Sequence, residues 1–183
     1  MSIFKSKWII LKIDKIKHQE FLYTIFTKDY WKIKCNKKLN KQERNLDLWY
    51  IINFEIFTKE NVSIHKINNI KIISGFNHNN KSFNEINNYL IILALVLNKT
   101  PFGSPIYELF HLLEIINEIK NINEIKLMLT KLKIISLFWE LNENHKNKIV
   151  NKILKYINSN KIESIIKLVW INEEIKKELE IIN

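Results

Sequence analysis

Residues 48–57, LWYIINFEIF, carry Leu48, Tyr50, Ile52, Phe54 and Ile56 at every second position, with polar Asn53 and Glu55 between them. A period of two belongs to a β-strand, whose successive side chains point to opposite faces, so this stretch predicts a strand with one continuous apolar face. Working outward, the same character recurs in Trp8–Ile13, Phe21–Thr27, Trp31–Lys37 and Val62–Ile67, all rich in β-branched and aromatic residues. Short polar breaks such as Lys28-Asp29 and Lys59-Glu60-Asn61 separate several of them. In the third, Trp31, Ile33 and Cys35 share one side while Lys32, Lys34 and Asn36 share the other. Five antiparallel strands, each with a face to hide, close most economically into a small barrel that leaves few free edges.

The period changes near Gly75. Ser82-Phe83-Asn84-Glu85 has the form of a capping box and opens a helix to about Asn98. Ser104-Pro105 then predicts an N-cap followed by proline at the first helical position, for a helix to about Ile119. Further helices are expected near 123–142, 145–158, 160–171 and 173–182. Ile125, Leu129, Leu132, Ile135 and Trp139 form a stripe at helical spacing, the pattern of a core-facing side. Asparagine-rich 77–80 is expected to be loop. The reading is thus α+β: a barrel over residues 1–75, then a helical domain over 76–183.

Charge divides the same way. Residues 1–80 hold 15 basic and 7 acidic side chains, whereas residues 81–183 hold 14 and 12. A basic module joined to a near-neutral one points to nucleic acid or another polyanion as partner. The excess peaks in residues 32–44, KIKCNKKLNKQER, where Lys32, Lys34, Lys37, Lys38, Lys41 and Arg44 stand against one acid. On the polar side of a strand and in the loop after it, such a cluster suits phosphate neutralisation, and equally a solvated loop. Tyr30 and Trp49 flank the cluster and are candidates for base stacking or for core packing.

Little in the chain suggests a reaction. Two glycines cannot form a phosphate-cradling loop or a dinucleotide fingerprint. His18, His65, His78, His111 and His145 are scattered without metal-ligand spacing, and Cys35 is the only cysteine, on the apolar side of its strand. No cofactor, metal site or enzyme activity is therefore expected. The N-terminus lacks a signal-peptide pattern, and the longest apolar run, Tyr89 to Leu97, is too short to cross a bilayer, so a reducing, cytoplasmic setting is expected.

The order of these segments resembles the bacterial DNA repair and recombination mediator family RecO, whose members have an N-terminal OB-fold barrel followed by a helical domain. Trp8-Ile9-Ile10-Leu11-Lys12 is similar to the family's first strand, and Phe21 to Tyr30 to its second strand and turn. Lys37–Arg44 stands where the family has a basic loop, and Val62–Ile67 resembles its fifth strand. Thr100 to Leu113, TPFGSPIYELFHLL, resembles its break between two helices. The four-cysteine zinc site of many members has no counterpart here. The resemblance implies a non-catalytic protein that binds single- and double-stranded DNA, promotes strand annealing and helps load the RecA recombinase. It implies the single-strand-binding protein and RecR as partners, and a place at the bacterial nucleoid during repair. Two other functions fit the residues: an adaptor docking an acidic partner tail without DNA, and an RNA-binding OB module.

Overall fold

The computed structural model describes residues 2–29, 32–39, 46–58, 63–75, 81–101, 106–119, 121–168 and 170–182, the side chains of 2–4, 57 and 58 excepted. Five strands, β1 (Ser2–Lys17), β2 (Glu20–Thr27), β3 (Lys32–Lys38), β4 (Ile51–Thr58) and β5 (Ile64–Ser74), form a closed barrel in the order β1-β2-β3-β5-β4. Helices α1 (Phe83–Lys99), α2 (Tyr107–Glu118), α3 (Glu124–Leu137), α4 (Lys148–Ser159), α5 (Ile162–Ile165) and α6 (Glu173–Ile181) follow. The layout is α+β, that of an OB-fold barrel followed by a helical domain. Two compact units result: Met1–His78 with Leu97–Phe110, and Asn79–Val96 with His111–Asn183.

One pairing differs from the expected all-antiparallel ring. Strands β3 and β5 run parallel, with Lys34 opposite Ile64, Cys35 opposite His65 and Asn36 opposite Lys66. The reason is topological: strand directions cannot alternate all the way round a closed ring of five. The fourth strand also starts later than the alternation implied, at Ile51. The Tyr50 amide donates to the Asp47 carbonyl at 3.3 Å and closes a turn in which Trp49 takes φ 66°, a strained conformation for so bulky a residue. The Trp49 amide donates to the Ile10 carbonyl at 2.9 Å and fastens the turn to β1. Strand β5 runs on past Ile67 to Ser74, because Asn68 and Asn69 sit at an irregularity in its register with β4 where Asn69 takes φ 52°. Just beyond, Gly75 lies so close to Tyr50 that a Cβ would meet the ring at 3.2 Å.

Inside the barrel, Trp8 and Ile10, Tyr23 and Ile25, Ile33 and Cys35, and Ile52, Phe54 and Ile56 come from successive strands at alternate positions. Trp8 and Phe54 stack with ring centroids 4.4 Å apart. Burial pushes the Cys35 thiol well above its ordinary range, so it stays a thiol packed among hydrocarbons. Ile9, Leu11, Thr24 and Phe26 lie outside this cluster yet are buried as well. Phe26 meets Phe110 at 6.1 Å, so Phe110, of the same unit, supplies part of an outer layer over β2.

In the helical unit the capping box forms as expected. The Ser82 amide donates to Glu85 Oε2 at 2.8 Å, and the Glu85 amide to Ser82 Oγ at 3.3 Å. Asn123, Asn147 and Asn172 cap α3, α4 and α6 by accepting from backbone amides. The expected core stripe holds for Leu129 and Leu132, both fully buried, but not for Trp139. Helix α3 stops at Leu137, Trp139 then takes φ 61°, and its ring is 93% exposed. Of the described residues in the expected 160–171 helix, four form one, as α5. The Ser104-Pro105 start and the 77–80 loop lie outside the described residues. Tyr89 is buried; its hydroxyl donates to the Ile119 carbonyl, while the Lys81 ammonium bonds that carbonyl at 3.3 Å and lies 4.8 Å from the Tyr89 ring centre.

Two predictions follow from this packing. Ile25→Ala, which opens a hole in the barrel, lowers the free energy of unfolding by about 3 kcal/mol, whereas Ile73→Ala at a half-exposed position costs under about 1 kcal/mol; denaturant titration reads both. Burial first, and the Glu85 carboxylate second, push the Tyr89 hydroxyl up to about 12. The unfolded chain ionises at about 10, so the stability tied to Tyr89 is intact below pH 10 and drains away as pH rises towards 12. Ultraviolet titration should show late tyrosinate absorbance, and Tyr89→Phe should remove part of it.

Candidate nucleic-acid interface

Strand β3 begins the site. Its alternation turns Ile33 and Cys35 inward and sets Lys32, Lys34, Asn36 and Lys38 on the outer face. What covers that face then sorts the lysines. Lys32 is only 6% exposed, and its Nζ donates to the Leu97 carbonyl at 2.8 Å. Leu97 lies in the last turn of α1, where backbone carbonyls lack intrahelical partners and the dipole favours a cation. Burial, then the neighbouring Lys34, lowers the Lys32 pKa, consistent with a charge held away from solvent. Lys32 thus leaves the expected phosphate-binding set and acts as an internal helix cap.

Of the two roles open to Trp49, stacking and core packing, burial leaves the second. The residue is 2% exposed, and a ring packed in the interior offers no face to a base. Strand alternation does not decide its place, because the residue occupies a turn bent back onto β1. Tyr30, Lys41 and Arg44 lie outside the described residues. Lys34 and Lys38 are exposed and Lys37 is half-buried, so these three of the expected cations reach the surface.

The barrel then adds a residue that local sequence did not single out. The parallel pairing sets Lys66 of β5 opposite Asn36, next to the β3 lysines. A groove of about 390 Å³ opens there, lined by Asn36, Lys37, Lys38, Lys66, Asn68 and one acid, Glu20. Glu20 is held in the β1–β2 hairpin, opposite Lys17 on one side and Lys38 on the other. The Leu39 amide donates to the Gln19 carbonyl at 2.7 Å and pins the hairpin tip to the end of β3. Three lysines and two carboxamides around one carboxylate make a polar, cationic trough.

Elsewhere on the barrel, a second hollow of about 430 Å³ holds Lys5, Lys7 and Lys71. There Glu55 takes Lys5 at 3.1 Å and the Asn69 amide at 2.7 Å, and these bonds hold its carboxyl below the usual carboxylate range. Its charge is in part already compensated. No aromatic ring lines either hollow among the described residues except Phe54, whose side chain is buried in the core. The trough can therefore neutralise phosphates, but its described residues offer no stacking platform.

Among the described residues no group of three or more His, Cys, Asp or Glu is placed to hold a metal ion, and no helix is long and apolar enough to cross a membrane. His111 and His145 instead face Glu163 at 3.0 Å and Glu178 at 3.6 Å.

The sorting of Lys32 from Lys34 is directly testable. Lys32→Met should lower stability by about 1–2 kcal/mol by leaving the Leu97 carbonyl unpaired, and should leave affinity for an oligonucleotide unchanged. Lys34→Glu should do the reverse, as read by thermal melts beside fluorescence anisotropy. A comparison with protein-family models finds no match to this chain, and a search of curated proteins finds none either.

Proposed function

We propose that this chain is a non-catalytic DNA-binding protein of recombinational repair, a divergent relative of the RecO mediators. It would hold single- and double-stranded DNA by its phosphates and bring complementary strands together. The observation that carries the reading is the cationic trough on a barrel of OB type, where β3 and β5 set Lys37, Lys38 and Lys66 around one open groove with Lys34 beside it. The ordered likeness of residues 8–120 to that family supplies the biological role, and with it RecR, the single-strand-binding protein and RecA loading.

The mechanism is electrostatic. Each phosphate that meets a lysine releases condensed counterions, and two strands carrying fewer effective charges repel one another less. Because the described residues of the trough present polar groups and no exposed ring, binding should depend weakly on base sequence.

Anisotropy of a labelled single-stranded DNA oligonucleotide at several salt concentrations tests this. Four lysines acting together predict a slope of log K against log salt of about −3, given roughly −0.7 per phosphate on single strands. Lys34→Glu/Lys66→Glu should shift the curve by tenfold or more, on the order of 1 kcal/mol for each contact. Absence of binding at low salt would overturn the reading and leave the adaptor for an acidic tail. Preference for a matched RNA would replace it with an RNA-binding module.

A further inference from the structure

The near-neutral charge of the helical half conceals one segment that is anything but neutral. Residues 144–162 contain five lysines, Lys146, Lys148, Lys152, Lys155 and Lys161, and no aspartate or glutamate. The balancing acids lie elsewhere in the chain, four of them in α6 alone.

Helix α4 gives that segment a geometry. Val150, Ile153, Leu154 and Ile157 are buried and fix the inner side of the helix. The opposite side carries Lys148, Lys152 and Lys155 at steps of four and three residues, which puts them on one stripe about 10 Å long. Tyr156 and Ile149, 38% and 47% exposed, border the stripe. Lys146 extends it beyond the Asn147 cap.

None of these four lysines forms an ion pair with a described residue. Two carboxylates by this segment are engaged by other groups: Glu143 accepts from Asn158 at 2.6 Å, and Glu178 faces His145 at 3.6 Å. The placement also opposes the helix. Lys146 and Lys148 flank the N-terminus, where the dipole disfavours cations, and the first turn holds no acid to offset them. A row of like charges at the wrong helix end is mildly destabilising in the free protein, and a polyanion laid along it removes that cost.

We propose that the outer face of α4 is a second binding surface for the phosphodiester backbone of nucleic acid, separate from the barrel trough. The inference rests on the nucleic-acid reading of the protein but not on the trough itself. Three lysines along about 10 Å match a polymer that presents a phosphate on each strand every ~3.4 Å of duplex axis. Tyr156 offers a half-exposed ring at the edge of the row, which the described residues of the trough lack.

The test uses the full chain and two charge-reversal variants, Lys148→Glu/Lys152→Glu/Lys155→Glu in α4 and Lys34→Glu/Lys66→Glu in the barrel. Anisotropy with a labelled 40-nucleotide single strand and the matching duplex reads both. The α4 variant should bind about tenfold more weakly at low salt, with a salt slope on the single strand shallower by about 2, for three lost phosphate contacts. Lys148→Gln/Lys152→Gln/Lys155→Gln should fall between it and the wild type, and both α4 variants should melt at or above the wild-type temperature. Wild-type affinity in the α4 variant, with loss in the barrel variant, would overturn this inference alone. Loss in the α4 variant only would support it and remove the trough. Lysine-dependent capture of a labelled polyglutamate peptide with unchanged DNA affinity would overturn it in favour of an acidic protein partner. A wild-type chain that binds no nucleic acid would overturn both readings.

Discussion

A closed ring of five strands must contain one parallel pair, and in this barrel that pair is β3 with β5. Much of the candidate trough depends on it. Parallel strands need a connection that crosses over rather than a tight hairpin, so residues 39–63, with β4 among them, separate β3 from β5 in the chain. The pairing then erases that separation and sets Lys66 beside Asn36. Had β3 ended a simple meander, its lysines would have formed an edge; closed against β5, they form one wall of a groove.

Cover over the outer face is the second determinant. The outward positions of β2 and β3 divide into a buried end, with Phe26 and Lys32, and an open end, with Lys34 and Lys38. Phe110 and the Leu97 carbonyl make the difference, both belonging to the barrel unit. Lys32 and Lys34 are two residues apart on one strand face, yet one caps a helix and the other meets solvent. Chemistry does not distinguish them. Their surroundings do.

The helical half shows how composition can serve structure. A chain rich in asparagine supplies three N-caps, at Asn123, Asn147 and Asn172, each with its side chain accepting a backbone amide. Averaging charge over that half hides the contrast between α4, which bears lysines and no acid, and α6, which bears four glutamates. Charge acts over about 10 Å at ordinary salt, so the relevant scale is the helix face rather than the domain.

Local pattern by itself determined the elements. Runs rich in β-branched and aromatic residues marked the five strands, with a clear period of two in the third and fourth, and the Ser82–Glu85 box and the 125–139 stripe marked helices α1 and α3, because such patterns are properties of a few consecutive residues. It also placed Cys35 inside, since that residue alternates with polar neighbours. Where the chain bends by a positive φ, at Trp49 and Trp139, periodicity was a poorer guide: Trp49, left open between stacking and core packing, is buried, and Trp139, expected in the core, is exposed. The composition of the trough was likewise decided only by tertiary structure. Which strands neighbour one another, and which outward side chains are covered, depend on contacts between residues 30 to 65 positions apart, and no local pattern carries that information.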